Sequence, residues 1–320
     1  MSLRDITDFI LQSRVHTCGT AMVCALPGLA LGSSDLTIAF LVASLSMLSL
    51  TIAALVTLKR GILEGALVTI IATSPIVIGD LESLPNFSLS GSELLILMVA
   101  SNVFTWVFAS ILRVRSSWSE LLQVAGALSI AAVVGAHVIY PDIDHWWELR
   151  LTSYFANTLQ ILGQLNVGDV QAETAVIDSI VISVKPYITG AIVSFVACMA
   201  LLQVLIARAW QSVVYEKGSL RKELLHIRMG YSAGVVFVIA LVWSYLGGDM
   251  ATDVMPILYF IFGLAGFSVM HYKFADINHG WLYITICYTV ITFVGMMPIA
   301  MFALLDTWLN FRERKSFFGF

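Results

Sequence analysis

The chain has 320 residues, 59% of them hydrophobic and only 12% charged, with a mean hydropathy of +0.89. Soluble domains carry about 45–50% apolar and about 25% charged residues, so too little polar surface remains here to coat a water-soluble globule. That excludes a soluble enzyme and a disordered chain, and a net charge of −4 supplies no basic face for nucleic acid. What remains is a polytopic membrane protein.

A bilayer core of about 30 Å asks for about 20 apolar residues per helix. The amino-terminal stretch MSLRDITDFILQSR mixes acids and bases ahead of the first apolar run and is expected to be retained. Runs follow at 17–33, 36–58, 62–79, 94–112, 121–140, 180–207, 230–247, 254–270 and 281–305. They predict one all-α domain over 1–320, a transmembrane helical bundle of about 8–10 membrane segments. Pro27 and several glycines shorten or tilt the first segment, and Pro75, Pro186, Pro256 and Pro298 fall in or beside later ones. Neighbouring helices can satisfy the carbonyls that such prolines free.

Basic residues set orientation, because short cytoplasmic loops accumulate Lys and Arg. Lys59 and Arg60, then Arg113 and Arg115, then Arg208, Lys217, Arg221, Lys222 and Arg228 follow the second, fourth and sixth runs. Acidic connections alternate with them: Asp80 and Glu82, then Asp142, Asp144, Glu148, Asp169, Glu173 and Asp178. The alternation predicts a cytoplasmic amino terminus. Three further runs would leave the basic tail Arg312, Arg314 and Lys315 outside, against that rule. Gly295 and Pro298 sit near the middle of 281–311, so the last run is expected to double back as a short hairpin.

Two connecting segments are long enough to fold. Over 141–179, Trp147, Leu151, Tyr154, Phe155, Leu162 and Leu165 recur at helical spacing, predicting an external amphipathic helix at the outer interface. It would cap the bundle or act as a lid. Over 208–229, a cytoplasmic basic loop can place Leu220, Leu224 and Ile227 on one side of a helix, to hold anionic headgroups or to dock a partner.

Reaction signatures are absent. No GxxxxGK[ST], HExxH or GxSxG occurs, and Cys18, Cys24, Cys198 and Cys287 form no CxxC or His-spaced set. No cofactor, metal site or enzymatic activity is expected. Ile78-Gly79-Asp80 matches half of an intramembrane aspartyl motif and lacks its preceding Gly. Glu64 beside Lys59 and Arg60 reads as a local ion pair, and Asn102, Asn157 and Gln203 read as hydrogen bonds across helices.

Ionisable residues near spans carry more information, because charge in hydrocarbon is costly unless paired or hydrated. His137 lies late in the fifth run and Lys185 early in the sixth, both towards the outer side, with Trp146, Trp147, Tyr154 and Tyr187 at the same level. Together they would form a site for a flat, anionic small molecule beneath the external helix. Equally, Lys185 would snorkel to the headgroups and the aromatics would form an interface belt.

The string Arg208-Ala-Trp210-Gln211, then Tyr215, Gly218, Arg221, Glu223 and Arg228, resembles the signature loop of the YybS-like family of bacterial membrane proteins. Asp306-Thr-Trp308-Leu-Asn310-Phe311-Arg312-Glu-Arg314 is similar to that family's carboxy-terminal pattern. Gly266 to His271, Trp281, and Thr57 to Gly61 with Glu64-Gly65 fall in the corresponding order. Ala209, Lys217, Ser219 and Asn310 depart from the pattern. That family has no assigned activity, and it is distantly similar to the substrate-binding components of energy-coupling-factor vitamin transporters. The resemblance implies a membrane protein that binds or transports a small molecule and depends on a partner for energy. The alternative is a scaffold that docks protein partners through 208–229 and the tail.

The hairpin reading makes a prediction. A reporter fused after Phe320 should read as cytoplasmic in a topology assay, and a periplasmic reading would overturn it.

Overall fold

A computed structural model describes residues 2–30, 36–78, 91–164, 170–274 and 278–313, with side chains described over 2–29, 41–78, 93–155, 177–274 and 278–313. Asp80, Leu165 and Arg314, and the side chains of Asn157 and Leu162, lie outside the described residues. All regular structure among the described residues is helical, with no strand. Among the described residues, five helices are long and apolar enough to cross a membrane, a sixth segment is a bent pair, and two shorter apolar helices accompany them. The protein is therefore a multi-pass integral membrane protein built as a helical bundle.

By internal contacts the chain forms two compact units, each drawn from several stretches of sequence. The first comprises Met1–Ala125, Phe195–Arg228 and Ser268–Ile277. It opens with α1 (Leu3–Ile10), where the Ser2 hydroxyl accepts from Asp5 N–H and the Asp5 carboxylate accepts from Ser2 N–H. That reciprocal cap satisfies donors that a helix start otherwise strands. Next, α2 (Arg14–Ala25) is capped by Ser13 and runs into a 3-10 turn at Leu26–Ala30 that contains Pro27. The first apolar run thus begins as a helix of only 12 residues.

At the centre of this unit lies α3 (Leu36–Lys59), whose residues 51–57 are buried on every face. A helix apolar all round has no solvent face to offer, so burial is its stable state. Ile10, Ala21, Ile52, Ala53, Val56 and Val68 form the core there, and Trp210 packs against it. Helix α4 (Ile62–Ile78) lies close against α3 because Gly65 has no side chain: a Cβ there would fall 1.8 Å from Thr57 Oγ1. From α5 (Gly91–Arg115), Arg113 donates to the carbonyls of Thr57 at 3.2 Å and Leu58 at 2.5 Å. These are among the last carbonyls of α3, which lack helical donors. Two polar side chains bond across helices as the sequence suggests. Asn102 on α5 donates to Thr73 on α4 at 3.0 Å, and Thr105 on α5 donates to Gln203 at 2.5 Å.

The second unit comprises Gly126–Ser194, Met229–Phe267 and Asn278–Phe320. It contains the later part of α6 (Trp118–Ile139), then α7 (Ile143–Gln164) and α8 (Val170–Val184). The segment 141–179 is therefore two helices rather than one. A 3-10 turn at Lys185–Tyr187, holding Pro186, leads into α9 (Ile188–Tyr215). After α10 (Ser219–Leu225), which belongs to the first unit, come α11 (Tyr231–Tyr245) and α12 (Asp249–Phe274), with Pro256 inside α12. The predicted loop 208–229 is thus helical as far as Tyr215, because its apolar spacing carries the preceding span on without a breaker until Gly218.

The last run is broken near Gly295, where the expected hairpin would turn. Helix α13 (Gly280–Val294) stops at Gly295, which adopts φ +82°, and α14 (Met297–Leu309) leaves at a bend of 118° with Pro298 in its first turn. Nearly all of α13 is exposed, including Trp281, Tyr283, Ile286, Tyr288 and Phe293. Apolar exposure on that scale belongs to a surface covered by lipid.

The α3–α4 contact makes a prediction. Gly65→Ala should destabilise the protein by about 1–3 kcal/mol, seen as a lowered melting temperature in detergent. An unchanged melting temperature would show that the two helices do not approach this closely.

Candidate functional site

Asp253, one turn into α12, is only 4% exposed. Its Oδ1 accepts the Gly190 N–H at 2.8 Å, and its Oδ2 stands 3.0 Å from His137 Nε2. All three residues belong to the second unit. Each element contributes for a local reason. Helix α9 starts at Ile188, so the Gly190 N–H is in the first turn, where amide hydrogens lack helical acceptors and the dipole favours an anion. Gly190 is required there because a Cβ would fall 1.6 Å from the Asp253 carbonyl oxygen. Pro256 lacks the N–H that would bond the Thr252 carbonyl, which loosens the same turn of α12. His137, 12% exposed at its side chain, comes from the last turn of α6. The result is a carboxylate inside candidate spans, held by a helix amino terminus and an imidazole.

Around it stand the other residues singled out in the sequence. Trp147 is buried and donates its Nε1–H to Thr189 Oγ1 at 2.9 Å, one residue before Gly190. Trp146 meets Trp147 edge-on with ring centres 4.5 Å apart, and the Arg150 guanidinium lies 5.0 Å from the Trp146 ring. Lys185 donates to Glu148 at 2.9 Å, and that hydrogen bond and charge hold the Glu148 carboxyl below its ordinary value. Tyr154 and Tyr187 are exposed. The imidazole and the cation expected to meet an anionic ligand, His137 and Lys185, therefore each face a carboxylate of the chain.

The residues expected to dock a partner have internal contacts as well. Arg208 bonds Glu223 and, at 3.3 Å, Glu216. Trp118 also donates to Glu223, at 3.0 Å. Burial alone would raise the Glu223 carboxyl, but these hydrogen bonds and the Arg208 charge reverse that and leave it below its ordinary value. Trp210 donates to Thr7 at 2.7 Å, Lys59 lies 3.6 Å over the Tyr215 ring, and the Arg228 N–H is bonded to Ser119. Gln211 is half-buried and Arg221 is exposed. At the tail, Asp306 is buried, accepts the Phe311 N–H at 2.8 Å and lies 3.9 Å from Arg312. Asn310 takes the left-handed conformation at the helix end, and Trp308 packs beside Gly234. The basic segment belongs to the first unit and the tail to the second.

Glu64 is paired as expected, at 3.4 Å from Arg60 and 3.0 Å from Arg14. A groove of about 520 Å³ in the first unit, lined by Ile62, Ile111, Val114, Arg115, Glu120 and Val124, contains none of the singled-out ligand residues. Among the described residues, no group of three or more His, Cys, Asp or Glu stands together as metal ligands.

Asp253 itself was not singled out in the sequence, because the predicted span 254–270 starts one residue after it. Read from hydropathy it is an interface acid. The signal that could have found it is the pairing of Pro256, inside the same turn, with Gly190 just after Pro186.

Fold and site together define a multi-pass membrane protein with an ionisable pair inside its spans. No family model, curated protein or solved structure matches the chain.

Asp253→Ala would leave the imidazole and the Gly190 N–H without their acceptor. Losing one partner of a buried pair should cost about 3–5 kcal/mol, read as a loss of thermal stability in detergent, and Asp253→Asn should recover part of it. Wild-type stability in the alanine variant would rule out the pairing.

Proposed function

We propose that this protein binds or moves a small molecule across or within the membrane, and that the His137–Asp253 pair takes part in recognition or coupling. One observation carries this reading: both members of a buried ionisable pair lie on helices with the length and composition of membrane spans. Such residues are expensive in hydrocarbon, and in membrane proteins they mark substrate and ion pathways. A purely packed bundle would be more stable with an apolar pair of the same volume.

The resemblance to the YybS-like family, and through it to substrate-binding components of vitamin transporters, supports a partner that supplies energy. The same resemblance supports a bacterial inner membrane, and the alternation of basic and acidic connections supports an amino terminus in the cytoplasm. The intramolecular contacts of Arg208, Trp210, Tyr215 and Glu223 weigh against the alternative scaffold role for 208–229.

Mass spectrometry of the tagged protein, extracted in mild detergent, tests the reading. The wild type should retain a small molecule that His137→Ala and Asp253→Asn lose severalfold, while Arg221→Ala keeps it. A stoichiometric protein partner with no retained molecule would favour the scaffold, and retention unchanged in both site variants would remove the pair from the function.

A further inference from the structure

The groove of about 520 Å³ in the first unit has apolar walls, formed by Ile111 and Val114 of α5, Val124 of α6 and Ile62 at the start of α4. Only Ser116 and Ser117 join α5 to α6, and Ser116 takes the left-handed conformation at φ +52°. Ile111 and Val114, three residues apart, share a face of α5. Trp106 donates its Nε1–H to the Ile62 carbonyl at 2.9 Å, which fixes the start of α4 against α5. The two neutral polar side chains of the groove bond back to their own helices. Ser110 donates to the Trp106 carbonyl at 2.7 Å, and Gln123 donates to the Ser119 carbonyl at 3.0 Å.

Both helices that form the groove turn much of their surface to lipid. Only 22% of the Glu93–Arg115 span and 28% of the Trp118–Ile139 span is buried inside the protein, against 44–67% of the other three. Arg115 closes the first of these spans and Trp118 opens the second, so the apolar walls give way to charge where hydrocarbon meets headgroups. That charge is Arg115 with Glu120, both lining the groove. Arg115 Nε stands 3.5 Å from Glu120 Oε2, longer than the about 2.7–2.9 Å of a charge-assisted hydrogen bond. The two side chains are 66% and 49% exposed. An exposed pair held this loosely contributes little to stability, so each partner can exchange the other for a ligand at small cost.

We propose that this groove binds a phospholipid with an ethanolamine headgroup. One acyl chain lies along Ile62, Ile111, Val114 and Val124, the Arg115 guanidinium donates to the phosphate, and the Glu120 carboxylate accepts from the primary ammonium. Charge complementarity selects this headgroup over its commoner alternatives. The planar guanidinium fork matches phosphate geometry. A carboxylate beside it disfavours a headgroup that carries negative charge alone. A primary ammonium offers three N–H donors to that carboxylate, whereas the quaternary ammonium of choline offers none. The groove's volume lies within the about 300–1,000 Å³ of small-ligand sites. The inference goes beyond the proposed function: every residue it uses belongs to the first unit, and none to the His137–Asp253 pair.

The test is native mass spectrometry of the full chain in detergent, with phosphatidylethanolamine, phosphatidylcholine and phosphatidylglycerol added in equal amounts. The wild type should retain phosphatidylethanolamine severalfold above the other two. Glu120→Gln should remove the preference over phosphatidylcholine, and Arg115→Gln should lower retention of all three lipids severalfold. Val124→Trp, which fills the groove, should lower phosphatidylethanolamine retention to the level of the other lipids. If that variant fails to fold, Val114→Trp at a more exposed position replaces it. Excess water-soluble phosphoethanolamine should leave the bound lipid in place, because the chain in the groove supplies much of the contact. Equal retention of the three lipids by the wild type, or a preference that survives Glu120→Gln, overturns the headgroup assignment. Retention unchanged in Arg115→Gln or in the tryptophan variant overturns the groove as the site, and displacement by phosphoethanolamine overturns a lipid as its occupant.

Discussion

A carboxylate inside a membrane-crossing helix is tolerated only if its charge is met locally, and Asp253 shows how many parts must agree for that to happen. Gly190 has to be glycine for α9 to reach the carbonyl of Asp253. Helix α9 has to begin at that level, so that an amide hydrogen without a helical acceptor points at the carboxylate. Helix α6 has to carry His137 down to the same point. Displacing any of the three strands a buried charge or donor without its partner.

The first unit meets the same constraint with arginine. Arg113 covers carbonyls at the end of α3, Arg60 reaches the Leu11 carbonyl while pairing Glu64, and Arg208 is held between Glu216 and Glu223. Guanidinium suits these positions because its several donors lie in a fixed plane and stay charged. Most of its conspicuous charges thus hold helix ends and helix pairs together. That is why the 208–228 segment, so prominent as a string of basic and aromatic residues, becomes a set of internal contacts once folded.

The distribution of exposed apolar side chains completes the picture. Helices α11 and α13 expose Ile239, Trp243, Tyr283 and Phe293, while polar atoms are gathered inward at Thr105, Gln203, Asp253 and Asp306. In water that arrangement would be inverted; in a bilayer it is the stable one. A buried polar group then needs a dedicated partner, and the hydroxyls of Ser46, Ser129 and Ser194 stand out because they have none among the described residues.

The sequence alone determined the class, since hydrophobic runs of bilayer length admit only helices or closed barrels and their apolar residues do not alternate as barrel strands do. It also determined the break at Gly295 and Pro298, because glycine and proline act on the backbone locally. The partners of Glu64, Asn102 and Gln203 could be anticipated in kind. Tertiary structure alone decided the site. Hydropathy set Asp253 just outside its span and left Lys185 between ligand binding and snorkelling, since a one-dimensional pattern carries no register between helices distant in sequence. Only the approach of α9 to α12 at Gly190, with α6 alongside, makes Asp253 a buried charge and gives His137 its partner.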